Sequence, residues 1–409
     1  MLIQKDNINN FRLLHIKKDS PISFVLFLVK NGSRYETPQD SGISHFIEHM
    51  MFKQTKSRTT KQISTEIETI GGQANAFTSY EYTGYYIKVL REKFGEAFEI
   101  LADILQNGKF LQEDIDIERG NIIEEIRMYE DSPADLVGQI SQQNVFPEQK
   151  LGQMIIGTEE TVNSFNRQDL VNYIDSNYLQ DDFLIVSVGN FNIDYTKEQV
   201  NKFLKPRKSG KLKVDKSEFS PKQKVNFVEK ASSKQAHVVI SFPGISSSNP
   251  DLHKFEVVDE VLGHGMGSIL MDLLREKLGV AYYVGSNHSD YLDTGVFQIY
   301  FGSNNDKTQM TVDKVFEELE KMKTKEISKE ELERAQNLFF SSIAMAHENI
   351  GYLGQKYGIE YLLEDKIETL EEVKLKIYSV NFEDIKETAK KIFTDNYNIT
   401  YIANKELIK

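Results

Sequence analysis

His45 and His49 stand four residues apart in His45-Phe46-Ile47-Glu48-His49. On a helix, positions i and i+4 share a face, so both imidazoles can reach one metal ion. Glu48, at i+3 from His45, lies on that face as well. A carboxylate there can take a proton from a water that the metal activates. Phe46, Ile47, Met50, Met51 and Phe52 are apolar, which buries this helix nearly all round. Buried imidazoles and a buried carboxylate are costly unless each is satisfied. A metal ion satisfies them together; a core histidine pair bonded to Glu48 is the alternative.

A tetrahedral catalytic site needs a third protein ligand and an open position. The chain has no cysteine, so that ligand is His, Asp or Glu, and the other histidines are scattered singly. The segment 114–130, DIDIERGNIIEEIRMYE, is rich in carboxylates. Glu118 and Glu125 are seven apart, one face of a helix about two turns apart. Ile115, Ile122 and Ile126 share that side, which turns both glutamates inward and leaves Glu124 and Glu130 outward. Spacing nominates Glu118 or Glu125 without choosing between them.

The elements that must position these residues follow an order that repeats. In the first half an apolar strand at 23–30 precedes helices at 42–54 and 60–70. Paired strands at 73–79 and 83–90 follow, then long helices at 92–107 and 112–131, a helix at 167–177 and a strand at 183–189. The second half offers a strand at 236–242, helices at 252–262 and 267–278, and strands at 280–287 and 294–303. Helices at 308–323, 329–349 and 382–393 then lead to a closing strand at 398–403. Between the halves, 205–222 is basic, holds Pro206, Gly210 and Pro221, and lacks periodicity, as a linker does. The pattern predicts an α+β chain of two homologous domains, 1–204 and 223–409. Each is a mainly antiparallel sheet with helices packed on one face.

Composition narrows the function. The 409 residues are 40% hydrophobic and 27% charged, the profile of a soluble globular protein. The apolar run Phe24–Val29 is too short to span a bilayer, and the N-terminus lacks the pattern of a secretory signal, so a cytoplasmic protein off the membrane is expected. A net charge of −13 argues against nucleic acid as partner. The glycines of Gly263–Ser268, GHGMGS, lack the lysine of a phosphate loop and read as a tight turn, with His264 at the surface.

Three runs together carry a resemblance: GISHFIEHMMFKQT, IETIGGQANAFTSYEYTGYY and ERGNIIEEIRMYEDSP. H-x-x-E-H is the inverzincin motif, and the three runs resemble the family of pitrilysin, insulysin and mitochondrial processing peptidase over nearly the whole chain. The resemblance implies a zinc metalloendopeptidase with one Zn2+ per chain. Its ligands would be His45, His49 and Glu125, with Glu48 as general base and Glu118 as a positioning carboxylate. It places a peptide substrate along the strand holding Asn75 and Ala76. It also implies that Arg275 and Tyr282, seven apart in LLREKLGVAYYV, bind the substrate backbone and stabilise the oxyanion from the second domain. Gln54 departs from the glycine usual in the family. Two domains rather than four imply the half-length subfamily, whose chamber is built by two subunits. A homodimer is the simplest form, a heterodimer with a zinc-less homologue the other. A dedicated precursor-processing peptidase and a non-catalytic structural subunit are the rival functions. Structural subunits usually lack a ligand, and all are present here.

Overall fold

Six successive apolar residues, Phe24–Val29, form the middle of a sheet rather than its rim. In the computed structural model, which describes residues 1–325 and 327–408, the chain starts with strands β1 (Leu2–Ile8), β2 (Phe11–Lys17) and β3 (Ile22–Val29). Helices α1 (Ile43–Met51) and α2 (Thr60–Thr69) precede strands β4 (Gln73–Thr78) and β5 (Thr83–Leu90). Then come α3 (Phe94–Asn107), α4 (Gln112–Asp131), α5 (Pro133–Val145), α6 (Glu159–Ser164), α7 (Arg167–Asn177), β6 (Phe183–Gly189) and α8 (Ile193–Phe203). Strands β7 (Val225–Glu229) and β8 (Gln235–Gly244) open the second series. Helix α9 (Leu252–Gly263), a π-helical segment Met271–Lys277, β9 (Ala281–Asp290) and β10 (Gly295–Asn304) follow. Last are α10 (Thr308–Thr324), α11 (Lys329–Ala346), α12 (Ile350–Glu364), α13 (Leu370–Ser379), α14 (Phe382–Ile392) and β11 (Asn398–Ala403).

One sheet has the order β1-β2-β6-β3-β5-β4, the other β7-β11-β8-β10-β9. Only β2–β6 and β7–β11 pair in parallel; the remaining neighbours are antiparallel. Without β1 the two orders coincide strand for strand, so the α+β duplication is a property of the topology. The sequence pattern misses β1, β2 and β7, and it gives an ordinary helix where the chain winds as a π-helix over Met271–Lys277.

Each sheet is covered on both faces, not on one. Phe27 meets Phe98 of α3 edge-on at 5.2 Å, while Phe24, Leu26 and Leu28 point the other way into Leu353 and Tyr357 of α12. A strand apolar on consecutive residues is one buried on both faces. In the second sheet α5 plays the part of α12, with Val137 against Val239 and Ile402, and Ser141 Oγ 2.9 Å from Ser241 Oγ. The compact units therefore differ from the halves on either side of 205–222. One comprises 1–127, 153–215 and 345–367, the other 128–152, 216–344 and 368–409. A cut in the linker fails to separate them because α5 and α12 each complete the sheet of the opposite half. The linker itself is tied down as far as Asp215 in the first unit. Arg207 donates to Leu105 O, and the Gly210 and Leu212 amides donate to Asp181 and Asp182. Among the described residues no helix is long and apolar enough to cross a membrane.

Candidate metal centre

Helix α1 begins under strict control. Its N-cap, Gly42, has φ 91°, and a Cβ there would lie 2.6 Å from Ile156 O and 2.7 Å from Gly157 Cα. Only glycine fits that conformation and that space. No side chain of the cap itself satisfies the first amides. Instead the fully buried Glu36 accepts from Gly42 N at 2.8 Å and Ser44 N at 2.9 Å, a carboxylate placed at the positive end of the helix. Burial nevertheless pushes the Glu36 pKa up to about 8, against the two amide bonds that lower it. Ile43, Phe46, Ile47, Met50 and Met51 are buried, so the helix has one way to sit and the polar residues 45, 48 and 49 share the remaining side.

Helix α4 supplies the facing carboxylates. Glu125 Oε2 lies 4.0 Å from His45 Nε2 and 3.7 Å from His49 Nε2. One ligand atom from each of the three residues falls within 4.8 Å of the others, and no other such group of three occurs among the described residues. Bonds of 2.0–2.2 Å in a tetrahedron set donors about 3.3 Å apart, so a small contraction would close these two imidazoles and one carboxylate on a zinc ion. His45 adds a further sign of fit. Its Nδ1 is buried with no hydrogen-bond partner, and burial first, then the neighbouring His49, push its pKa down to about 3. That is the neutral form a metal needs.

Glu118, the other inward carboxylate, takes a different place. Its Oε2 is 3.0 Å from His49 Nδ1, and its Oε1 receives Lys53 Nζ at 2.6 Å and Asn121 Nδ2 at 3.0 Å. Burial opposes its charge, but the bonds from His49 and Lys53 prevail and bring its pKa down to about 2. For His49, burial likewise acts against charge, while the bond to Glu118 and the nearby Glu48, Glu118 and Glu125 charges raise the pKa overall. The bond at Nδ1 turns Nε2 toward Glu125, the arrangement in which a carboxylate orients a metal-binding imidazole.

Glu48 stands beside the imidazoles. Burial raises its pKa, aided by the Glu125 charge and countered by a 2.6 Å hydrogen bond from Thr78 and by the charge of His49. Thr78 ends β4, the outermost strand of the first sheet. Asn75 and Ala76 lie on the same strand, opposite Tyr86 and Tyr85, and the exposed Asn75 accepts from the Ala76 amide at 2.9 Å. The edge strand and the histidine helix thus meet through Thr78 and Glu48. Arg275 and Tyr282 are in the second unit. Arg275 is exposed on the π-helical segment, and Tyr282, 75% exposed, lies at an irregularity of β9 where the pairing with β10 skips a residue. His264 is half exposed and bonded to Asp259.

Sequence spacing missed Glu36, Lys53 and Thr78. Lys53 stands four residues after His49, just past the histidine helix, and its charge beside an apolar run was the available signal. The roles of Glu36 and Thr78 arise only from tertiary contact.

Comparison with known proteins adds to this geometry. Residues 12–159 match the family model described as insulinase (peptidase family M16), and 164–339 match that of the peptidase M16 inactive domain. An uncharacterized zinc protease of Rickettsia bellii is 36% identical over 384 residues, 93% of this chain and 92% of its own length. The uncharacterized zinc protease YmxG of Bacillus subtilis is 35% identical, over 92% of this chain and 91% of its own. A probable mitochondrial-processing peptidase subunit beta of Arabidopsis thaliana is 29% identical over 89% of this chain and 71% of its own. Among solved structures, a protease from Helicobacter pylori shares the fold with a TM-score of 0.91, covering 98% of this chain and 99% of that one at 20% identity.

Proposed function

Since this chain belongs to the insulinase family of peptidases, family M16, we propose that it is a zinc-dependent endopeptidase. His45, His49 and Glu125 hold the ion and Glu48 moves the proton. The observation that carries this reading is the approach of Glu125 Oε2 to both Nε2 atoms with Glu48 on the same helix face. When bound, zinc supplies Lewis acidity, which acidifies water and polarises a peptide carbonyl. Glu48 takes the proton of the attacking water and hands it to the leaving amine, held in place by Thr78. Glu118 keeps His49 turned to the ion. An extended peptide lies along β4 near Asn75 and Ala76 by adding to the free sheet edge. Arg275 and Tyr282, both exposed, contact the substrate backbone, and Tyr282 serves the oxyanion.

The substrates are peptides or small unfolded polypeptides, enclosed in a chamber built by two copies of the chain, each with one zinc site. The similarity to mitochondrial-processing peptidase beta subunits favours a second reading, cleavage of one class of precursor together with a zinc-less homologue. Elemental analysis of the purified protein tests the first claim, alongside cleavage of a mixed peptide library with and without a chelator. One zinc per chain and chelator-sensitive cleavage are expected. No metal after incubation with zinc would overturn the enzyme and leave a structural subunit. Cleavage only of leader-bearing precursors would select the second reading.

A further inference from the structure

The lysine just past the histidine helix has the geometry of a part of the site, not of a surface charge. Lys53 follows the C-cap Phe52, and its amide bonds back to Met50 O at 3.1 Å. The loop it begins is clamped to the end of α3. Lys56 N donates to Asn107 O, Lys109 N donates to Gln54 O, and Thr55 Oγ1 and Arg58 Nη1 both donate to Asp103 Oδ2, at 2.7 and 2.9 Å. From this fixed base the Lys53 ammonium reaches Glu118 Oε1 at 2.6 Å, while Glu118 Oε2 holds His49 Nδ1 at 3.0 Å.

We propose that Lys53 is a positioning residue of the metal centre: its ammonium fixes the Glu118 carboxylate, and through it the imidazole of His49. The inference rests on the zinc reading above. A histidine that binds a metal is neutral, so in the loaded site His49 gives Glu118 a hydrogen bond but no countercharge. Asn121, the third partner at 3.0 Å, is neutral as well. The positive charge in direct contact with this buried carboxylate is then Lys53, since a bound ion would act on it only through the ring of His49. An unbalanced buried carboxylate turns out toward water, and His49 loses the bond that sets its ring. Outer partners of a metal-binding histidine contribute about 10–100-fold in metal affinity.

The test measures zinc affinity by competition with a chelator in the full chain, for the parent, Lys53→Met, Lys53→Arg, Glu118→Gln and the Lys53→Met/Glu118→Gln pair. Lys53→Met is expected to weaken zinc about 10-fold or more, and Lys53→Arg, which keeps the charge, to stay within about threefold of the parent. In the Glu118→Gln background, Lys53→Met should change nothing further, because its route to the metal is gone. A role in stability alone would lower the melting temperature of both backgrounds and leave zinc affinity untouched, and that result would overturn the proposal. So would equal losses in both backgrounds. If the parent binds no zinc, the zinc reading itself fails and the inference falls with it. If the parent binds and His45→Ala does not, a normal Lys53→Met counts against the lysine only.

Discussion

The two sheets share one strand order, yet the helix after the central strand is used in opposite ways. In the first unit α1 carries His45, whose Nδ1 has no partner and whose Nε2 faces Glu125 at 4.0 Å without a hydrogen bond. In the second unit α9 carries His253, with Nε2 hydrogen-bonded to Glu368 at 2.8 Å and Nδ1 within ion-pair distance of Glu256, 2.7 Å, though not aligned for a hydrogen bond. Burial disfavours charge in both. It prevails at His45, whose pKa falls to about 3. At His253 the carboxylates outweigh it and raise the pKa to about 9. The difference separates two kinds of buried histidine. One has a carboxylate within ion-pair distance of each nitrogen and is closed by charge. The other stays neutral, with nitrogen lone pairs converging on a further donor, and is open to a metal.

The sharpest way to break that contrast is to remove the open member. His45→Ala is expected to take zinc from one per chain to none by elemental analysis, and hydrolysis with it. Full zinc in this variant would strike His45 from the ligand set. Glu48→Gln should keep the metal and lower kcat by on the order of 10²–10⁴, measured on any peptide the parent cleaves; unchanged turnover would remove Glu48 from the chemistry. Gly42→Ala tests the frame beneath the open site. With φ 91° and backbone atoms 2.6–2.7 Å from the new Cβ, it should cost roughly 2–3 kcal/mol in urea unfolding.

His253→Gln tests the closed member and has the smallest effect, about 1–2 kcal/mol at pH 6. The folded pKa lies above the unfolded value of about 6.5. The stabilisation is therefore complete below that pH and vanishes as pH rises through about 9. Urea midpoints of parent and variant should converge between pH 6 and pH 9.5. Glu368 stays ionised over this range: burial opposes its charge, but the bonds from His253 and Lys376 bring its pKa down to about 2. A gap that persists at pH 9.5 would mean that His253 acts through packing instead.

What was legible in the sequence follows from what is local. The i, i+4 spacing of His45 and His49 and the full extent of α4, Gln112–Asp131, depend on helical periodicity and could be read directly. Spacing also turned both Glu118 and Glu125 inward, but only their different distances to the imidazoles tell them apart. Thr78 and Lys53 reach the site from an edge strand and a loop, where periodicity says nothing. Helix α12 was hidden for another reason. Gly351, Gly354 and Gly358 lower its helix propensity. The last two are there because a Cβ on Gly354 would lie 2.5 Å from the Phe24 ring, and one on Gly358 2.8 Å from Leu28.

That close fit has a consequence for how the protein is made. The side of β3 and β6 formed by Phe24, Leu26, Leu28, Leu184, Val186 and Val188 is covered by residues 350–362. A chain emerging from the ribosome N-terminus first has all six of these side chains before it has their cover. The first sheet therefore stays sticky from the completion of Val188 until residues 350–362 emerge, the interval in which a nascent chain most needs a chaperone.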